Sequence, residues 1–151
     1  MNFLQKEINE LEEMIAYSDQ LKAKVSKVTA GWHIDHSLQV INTVCKVLID
    51  SDPKAYKSSF NFVKSAIFIM NFIPRGNGKA PQSVTPQGEI LEKNLYPQLE
   101  KAKKLSMETL HLTRNSHFAH PYFGMLNLRM TKKFLRIHTR HHLKIIRDII
   151  F

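Results

Sequence analysis

Cysteine is almost missing from this chain. Cys45 is its single thiol, which excludes an internal disulfide and fits a reducing, cytoplasmic setting. Long apolar runs are missing too. The most apolar stretch, Phe60 to Ile73, is interrupted by Asn61, Lys64, Ser65 and Asn71. It is too short and too polar to span a bilayer, so no membrane partner is expected. Met1 to Glu13 mixes charges with apolar residues and lacks the unbroken apolar core of a secretory signal. There is no internal repeat, no low-complexity tract and no linker. The 151 residues therefore read as one domain, residues 1–151, long enough to fold without a metal or disulfide staple. Acidic residues are few relative to basic ones, 13 against 22, and the formal net charge is +9. Such a charge raises the question of nucleic acid. However, the cations are spread along the chain, with no recognition-helix, zinc-finger or stacking-aromatic signature. They read as a solvated basic surface, and a nucleic-acid partner is not expected.

What is present is helical spacing. Leu4, Ile8, Leu11, Ile15 and later Val25 predict a first helix over about Asn2 to Val28. Ile34, Leu38, Ile41, Cys45 and Leu48 predict a second over about Trp32 to Ile49, with Asp35, Gln39, Asn42 and Lys46 on the opposite side. Tyr56, Phe60, Val63, Ile67 and Met70 predict a third over about Pro53 to Phe72. It is apolar over so much of its circumference that it reads as central. Pro74, Gly76, Gly78, Pro81 and Pro86 make Ile73 to Pro86 a loop. A fourth helical region covers about Gln87 to Leu112, kinked or restarted at Pro97. Thr113 to Met125 reads as a second loop. The last helix spans about Asn127 to Ile150, with Asn127 as N-cap. In it Leu128, Thr131, Leu135, His138, His142, Ile145 and Ile149 step by three and four without a fault. No segment alternates with period two between turn signals, so no sheet is expected. An apolar helix face left uncovered would favour a homodimer.

The eight histidines carry most of the functional information. His138 and His142 are four apart, so they project from one helix face, at seam positions where leucine or isoleucine would be usual. A buried imidazole with unpaired nitrogens loses roughly 1–3 kcal/mol for each unpaired group. A shared divalent metal satisfies one nitrogen of each ring at once. The plainer alternative is a pair hydrogen-bonded to carbonyls, water or each other. A third ligand must come from another helix, and His33 and His36 are the donors at hand. On a helical wheel His33 lies inside the apolar arc, between Val40 and Val44, and His36 at its edge near Val47. The wheel favours His33 slightly and does not decide.

Three motifs, in order, carry a resemblance. They are Gly31-Trp32-His33-Ile34-Asp35-His36-Ser37-Leu38, then Ala119-His120-Pro121-Tyr122-Phe123-Gly124, then Phe134-Leu135-Arg136-Ile137-His138-Thr139-Arg140-His141-His142-Leu143. Together they resemble the DinB-like (YfiT-like) superfamily of metal-binding bundles, most closely a branch of unassigned function. The resemblance implies an all-α, up-down four-helix bundle with one additional short or kinked helix. It also implies metal ligands His36, His138 and His142, with His33 as the substitute for His36. Zinc or nickel is the metal implied, with a low-molecular-weight thiol as a further cofactor. The activity implied is a metal-dependent thiol transferase or hydrolase acting on a small molecule. The alternative is a non-catalytic binding or stress-response module on the same bundle.

Around such a site, His120 is a candidate second-shell acid or base, with an ordinary loop histidine as the competing reading. Arg75 and Lys79 are candidates for holding a carboxylate or phosphate, against a solvated turn. Asp35 is a candidate to orient a ligand ring, against the plainer reading of a solvent-exposed carboxylate. Arg140 and His141 turn to other faces and read as surface or helix contacts. Cys45 lies on the apolar stripe and reads as core.

Overall fold

The computed structural model describes residues 2–76 and 81–151. The chain is mostly helical, with helices α1 (Gln5–Met14), α2 (Ala30–Asp50), α3 (Phe62–Met70), α4 (Glu92–Glu108) and α5 (Leu128–Ile150). Two short strands, β1 (His117–His120) and β2 (Gly124–Asn127), precede α5. Helices α1, α2, α4 and α5 pack against one another around a shared core.

Helix α1 is pinned at both ends. Leu4 N–H donates to Asn2 Oδ1 at 3.0 Å, while Asn2 Nδ2 donates to Ser106 Oγ of α4 at 2.7 Å. Leu4, Ile8, Leu11 and Ile15 are fully buried. After a 3-10 turn at Ile15–Tyr17 the helix stops, well short of the expected Val28. The physical reason is the lapse in apolar spacing: Ser18, Asp19 and Gln20 are polar, and Leu21 is exposed. The chain then doubles back, with Gly31 N–H on Ser18 O at 2.8 Å and Ala30 N–H on Gln20 O at 2.9 Å. A Cβ at Gly31 would stand 2.7 Å from Ser18 O, so this close approach requires glycine.

Helix α2 begins at Ala30, two residues before the expected Trp32, because Thr29 caps it by accepting Trp32 N–H at 3.2 Å. This helix is the central one. It contacts α1, α4, α5 and β1, and on its polar side Asp35 and Asn42 are buried as well. Asn42 Nδ2 donates to Gln98 O at 3.0 Å, and Asp35 accepts from Gln39 and from Gln98, so hydrogen bonds join α2 to α4.

The segment expected to be central is instead peripheral. Helix α3 is only Phe62–Met70, with Asn61 accepting Lys64 N–H at 2.9 Å and Asn71 ending it at φ +53°. Lys64, Ile67 and Phe68 are its buried residues, whereas Phe60 is 86% and Ile69 83% exposed. Residues 56–61 run beside the hairpin, where Asn61 Nδ2 bonds Tyr122 O at 2.9 Å. Apolar content suggests burial all round, but α3 reaches the shared core only through Ile67 and Phe68.

Helix α4 is shorter than the expected Gln87–Leu112 and contains Pro97 in its second turn, with Leu95, Leu99 and Ala102 fully buried. The absence of a sheet was also expected, and the hairpin corrects it. His117 pairs with Asn127 and His120 with Gly124, antiparallel, and Gly124 supplies φ +68° at the turn. Four-residue strands are too short to display alternation in the sequence. Helix α5 is close to expectation. Asn127 caps it by accepting Met130 N–H at 3.0 Å, and Thr131, Leu135, His142, Ile145 and Ile149 are buried along the seam. Arg136 donates to Phe3 O, and Arg140 and Arg147 pair with Glu7 and Glu10, which ties α5 to α1.

Candidate metal centre

The α5 seam points His138 and His142 at the first turns of α2, whose start is set by the Thr29 cap. There they meet His36. One ring nitrogen from each of His36, His138 and His142 lies within 4.8 Å of the other two. Ring centroids stand 4.7 Å apart for His36–His142, 4.7 Å for His138–His142 and 5.1 Å for His36–His138.

Protons can be assigned from partners. His36 Nδ1 lies 2.6 Å from Val84 O, and a carbonyl can only accept, so Nδ1 carries the ring hydrogen and Nε2 is bare. Trp32 stacks on the same ring at 5.2 Å and 20°, holding its plane. The bare His36 Nε2 faces His138 Nε2 at 3.3 Å. Tetrahedral zinc with Zn–N of about 2.0–2.1 Å separates two ligand nitrogens by roughly 3.3–3.4 Å. The observed edge therefore has the length a zinc site requires. Without a cation, His138 must donate from Nε2 to His36, which leaves its buried Nδ1 bare. With one, Nδ1 carries the hydrogen. In both states Nδ1 has no partner among the described residues. The donor set, three imidazoles, suits zinc or nickel.

Burial keeps these rings neutral, as ligands must be. It lowers His36, and it drives His138 and His142 well below the ordinary histidine range, with repulsion from neighbouring histidines adding to the effect. His33 is lowered to about 4, chiefly by burial.

His33 stands outside the three-nitrogen group. Its Nδ1 lies 3.0 Å from His142 Nδ1, and its Nε2 lies 3.0 Å from Ser26 Oγ. Asp35 is buried rather than solvent-exposed, and it does not orient a ligand ring by hydrogen bond, because its oxygens are taken by Gln39 and Gln98. His120 closes the hairpin turn, its Nδ1 accepting Tyr122 N–H at 3.1 Å and Phe123 N–H at 3.2 Å. It stacks on Phe123 at 4.2 Å and meets Phe134 edge-on at 4.7 Å, and Phe134 in turn meets His138 at 5.6 Å. Burial lowers His120 to about 4.

Arg75 pairs with Asp148 at 2.6 Å and lines a cleft of about 280 Å³ with Lys6, Phe72, Arg140, His141 and Lys144. His141 donates from Nδ1 to Ile73 O at 3.0 Å, and its ring meets His142 at 5.1 Å, so the cleft lies behind the histidine cluster. Lys79 lies outside the described residues. Cys45 is buried and its thiol is pushed up to about 12, in keeping with a core role.

Three participants had no sequence signal. Val84 acts through its backbone carbonyl, which any residue supplies. Ser26 lies in a turn region read as helix. Trp32 opens the second helix in the sequence, where nothing marks it as a stacking partner of His36. No family model, curated protein or solved structure matches this chain. Among the described residues, no helix is long and apolar enough to cross a membrane.

Proposed function

We propose that this protein is a divalent-metal-binding helical bundle of the DinB-like kind, with His36, His138 and His142 as ligands to zinc or nickel. The observation that carries this reading is the bare His36 Nε2 set 3.3 Å from His138 Nε2, with a His142 nitrogen completing a group within 4.8 Å. Three protein ligands leave a coordination position open, as catalytic zinc sites do. A metal there would lower the pKa of bound water to about 7 or hold a small thiol as its thiolate.

The chain's own residues set the conditions for that chemistry. Val84 O and Trp32 fix the His36 ring. Phe134 and the hairpin ring of His120 wall the site beside His138 and limit water. The activity this arrangement serves best is transfer to or from a small thiol, or hydrolysis. One observation favours the second reading, a module that binds metal without turnover. The cleft beside His141 is not lined by His36, His138 or His142, so no broad chamber opens on the three rings there.

Element-resolved analysis of the purified protein, followed by zinc and nickel titration, tests the site. Near-stoichiometric metal is expected, lost in His138→Ala with the fold retained by circular dichroism. A wild-type protein without affinity for either ion removes the reading. A panel of low-molecular-weight thiols with electrophilic acceptors then separates enzyme from module.

A further inference from the structure

We infer that His33 is a positioning residue for the metal centre: it accepts the Nδ1 hydrogen of His142 and so leaves His142 Nε2 bare to bind metal. This rests on the metal-centre reading above and adds to it a residue outside the ligand set.

His142 Nδ1 is occupied by His33 Nδ1 at 3.0 Å, so Nε2 is the nitrogen left for the site. A ring nitrogen offers a metal its lone pair only when bare. His142 must then carry its hydrogen on Nδ1 and donate it to His33. His33 Nδ1 must in turn be bare, and its own hydrogen must sit on Nε2, which lies 3.0 Å from Ser26 Oγ. Ser26 Oγ already accepts Val28 N–H at 3.1 Å and has a second lone pair to accept His33. Ser26 is only half-buried, so its hydroxyl hydrogen is free to turn towards solvent. Every member of the chain from Val28 to His142 is satisfied in this direction.

Run the other way, the Ser26 hydroxyl donates to His33 Nε2 and His33 donates to His142 Nδ1. The His142 hydrogen is then forced onto Nε2, which closes the site. The contrast with His36 is sharp. Val84 O can only accept, so His36 has one tautomer, whereas the serine–histidine chain is reversible and His142 is the ligand whose availability can change. The chain also runs from a half-buried serine to a buried ring, which places this control at the protein surface.

The test compares zinc alone, in competition with a chromophoric chelator, on wild type, His33→Gln, His33→Phe, Ser26→Ala and His142→Ala. Loss of a residue that orients a ligand costs about 10–100-fold in metal affinity. His33→Phe should show that loss, with Ser26→Ala weakened less. His33→Gln, whose amide oxygen can still accept, should recover most of the affinity. Nitrogen-15 spectra of the metal-free protein supply the second readout. His142 should be the Nδ1–H tautomer in wild type and His33→Gln, and should lose it in His33→Phe. Unchanged zinc affinity in His33→Phe overturns the positioning role while the metal centre stands. Equal losses in His33→Gln and His142→Ala also overturn it, because they make His33 a ligand. If the wild type binds no zinc, the same competition is run with nickel, and binding of neither ion fails the metal reading by itself. The tautomer spectra still decide His33, and an unaltered His142 spectrum in His33→Phe rejects it.

Discussion

Helix α5 and the segment around α3 are both rich in apolar residues, yet they meet opposite fates. In α5 one polar face alternates with one apolar seam, and the seam is buried from Thr131 to Ile149. Around α3, apolar residues point in all directions, and Phe60, Phe62, Val63, Ile69 and Met70 are exposed. The difference teaches that periodicity, not hydrophobicity, locates a helix in a core. A seam tells neighbours which side to cover. A helix apolar all round says only that burial would be favourable, and here α3 buries one narrow edge, Ile67 and Phe68, against the core.

The comparison can be broken at several points. The largest effect belongs to Leu135→Ala, which removes a fully buried side chain one turn from His138. Chemical denaturation should show a loss of about 2–5 kcal/mol. A loss under ~1 kcal/mol would mean that the α5 seam does not form part of the core.

Next comes the hairpin ring that packs on α5. His120 is lowered from 6.5 to about 4 by burial, so between those values the unfolded chain takes up a proton that the folded one refuses. Its contribution is complete above about pH 6.5 and is lost as pH falls towards 4, on the order of 1–3 kcal/mol in all. With chelator present, His120→Phe should flatten that part of the stability-against-pH curve relative to wild type. Parallel curves would show that His120 is not held neutral by the fold.

The smallest effect is expected in the contrasting region. Ile69→Ser, at a side chain 83% exposed, should change stability by no more than about 0.5 kcal/mol. Thermal or denaturant melts that show a core-sized loss would mean the α3 face is covered in solution, and would erase the contrast.

Legibility followed the same line. The α5 boundaries, the Asn127 cap and the projection of His138 and His142 from one face could be read directly, because all depend on residues a few positions apart. The stripe of α2 was equally plain. The end of α1 was not, since Val25 resumes an apolar position after the polar Ser18, Asp19 and Gln20, and it reaches the core from the turn region rather than from a continued helix. The hairpin was missed because strands of four residues carry no pattern. Between His33 and His36 the helical wheel leaned towards the ring that turns out to stand behind His142. A wheel records which side a residue faces, and cannot say how far it reaches.

By itself, the order of residues determined that helices dominate, that α5 presents two imidazoles to the interior and that Cys45 has no partner thiol. These follow from local spacing and from counting, which no tertiary contact can alter. Only the folded chain decided that His36 joins that pair, that Val84 and Ser26 anchor the ring-proton arrangement around them, and that the most apolar segment stays outside. Those outcomes depend on distances between atoms up to about a hundred positions apart in sequence, such as His36 and His138, and on which surfaces neighbouring segments cover.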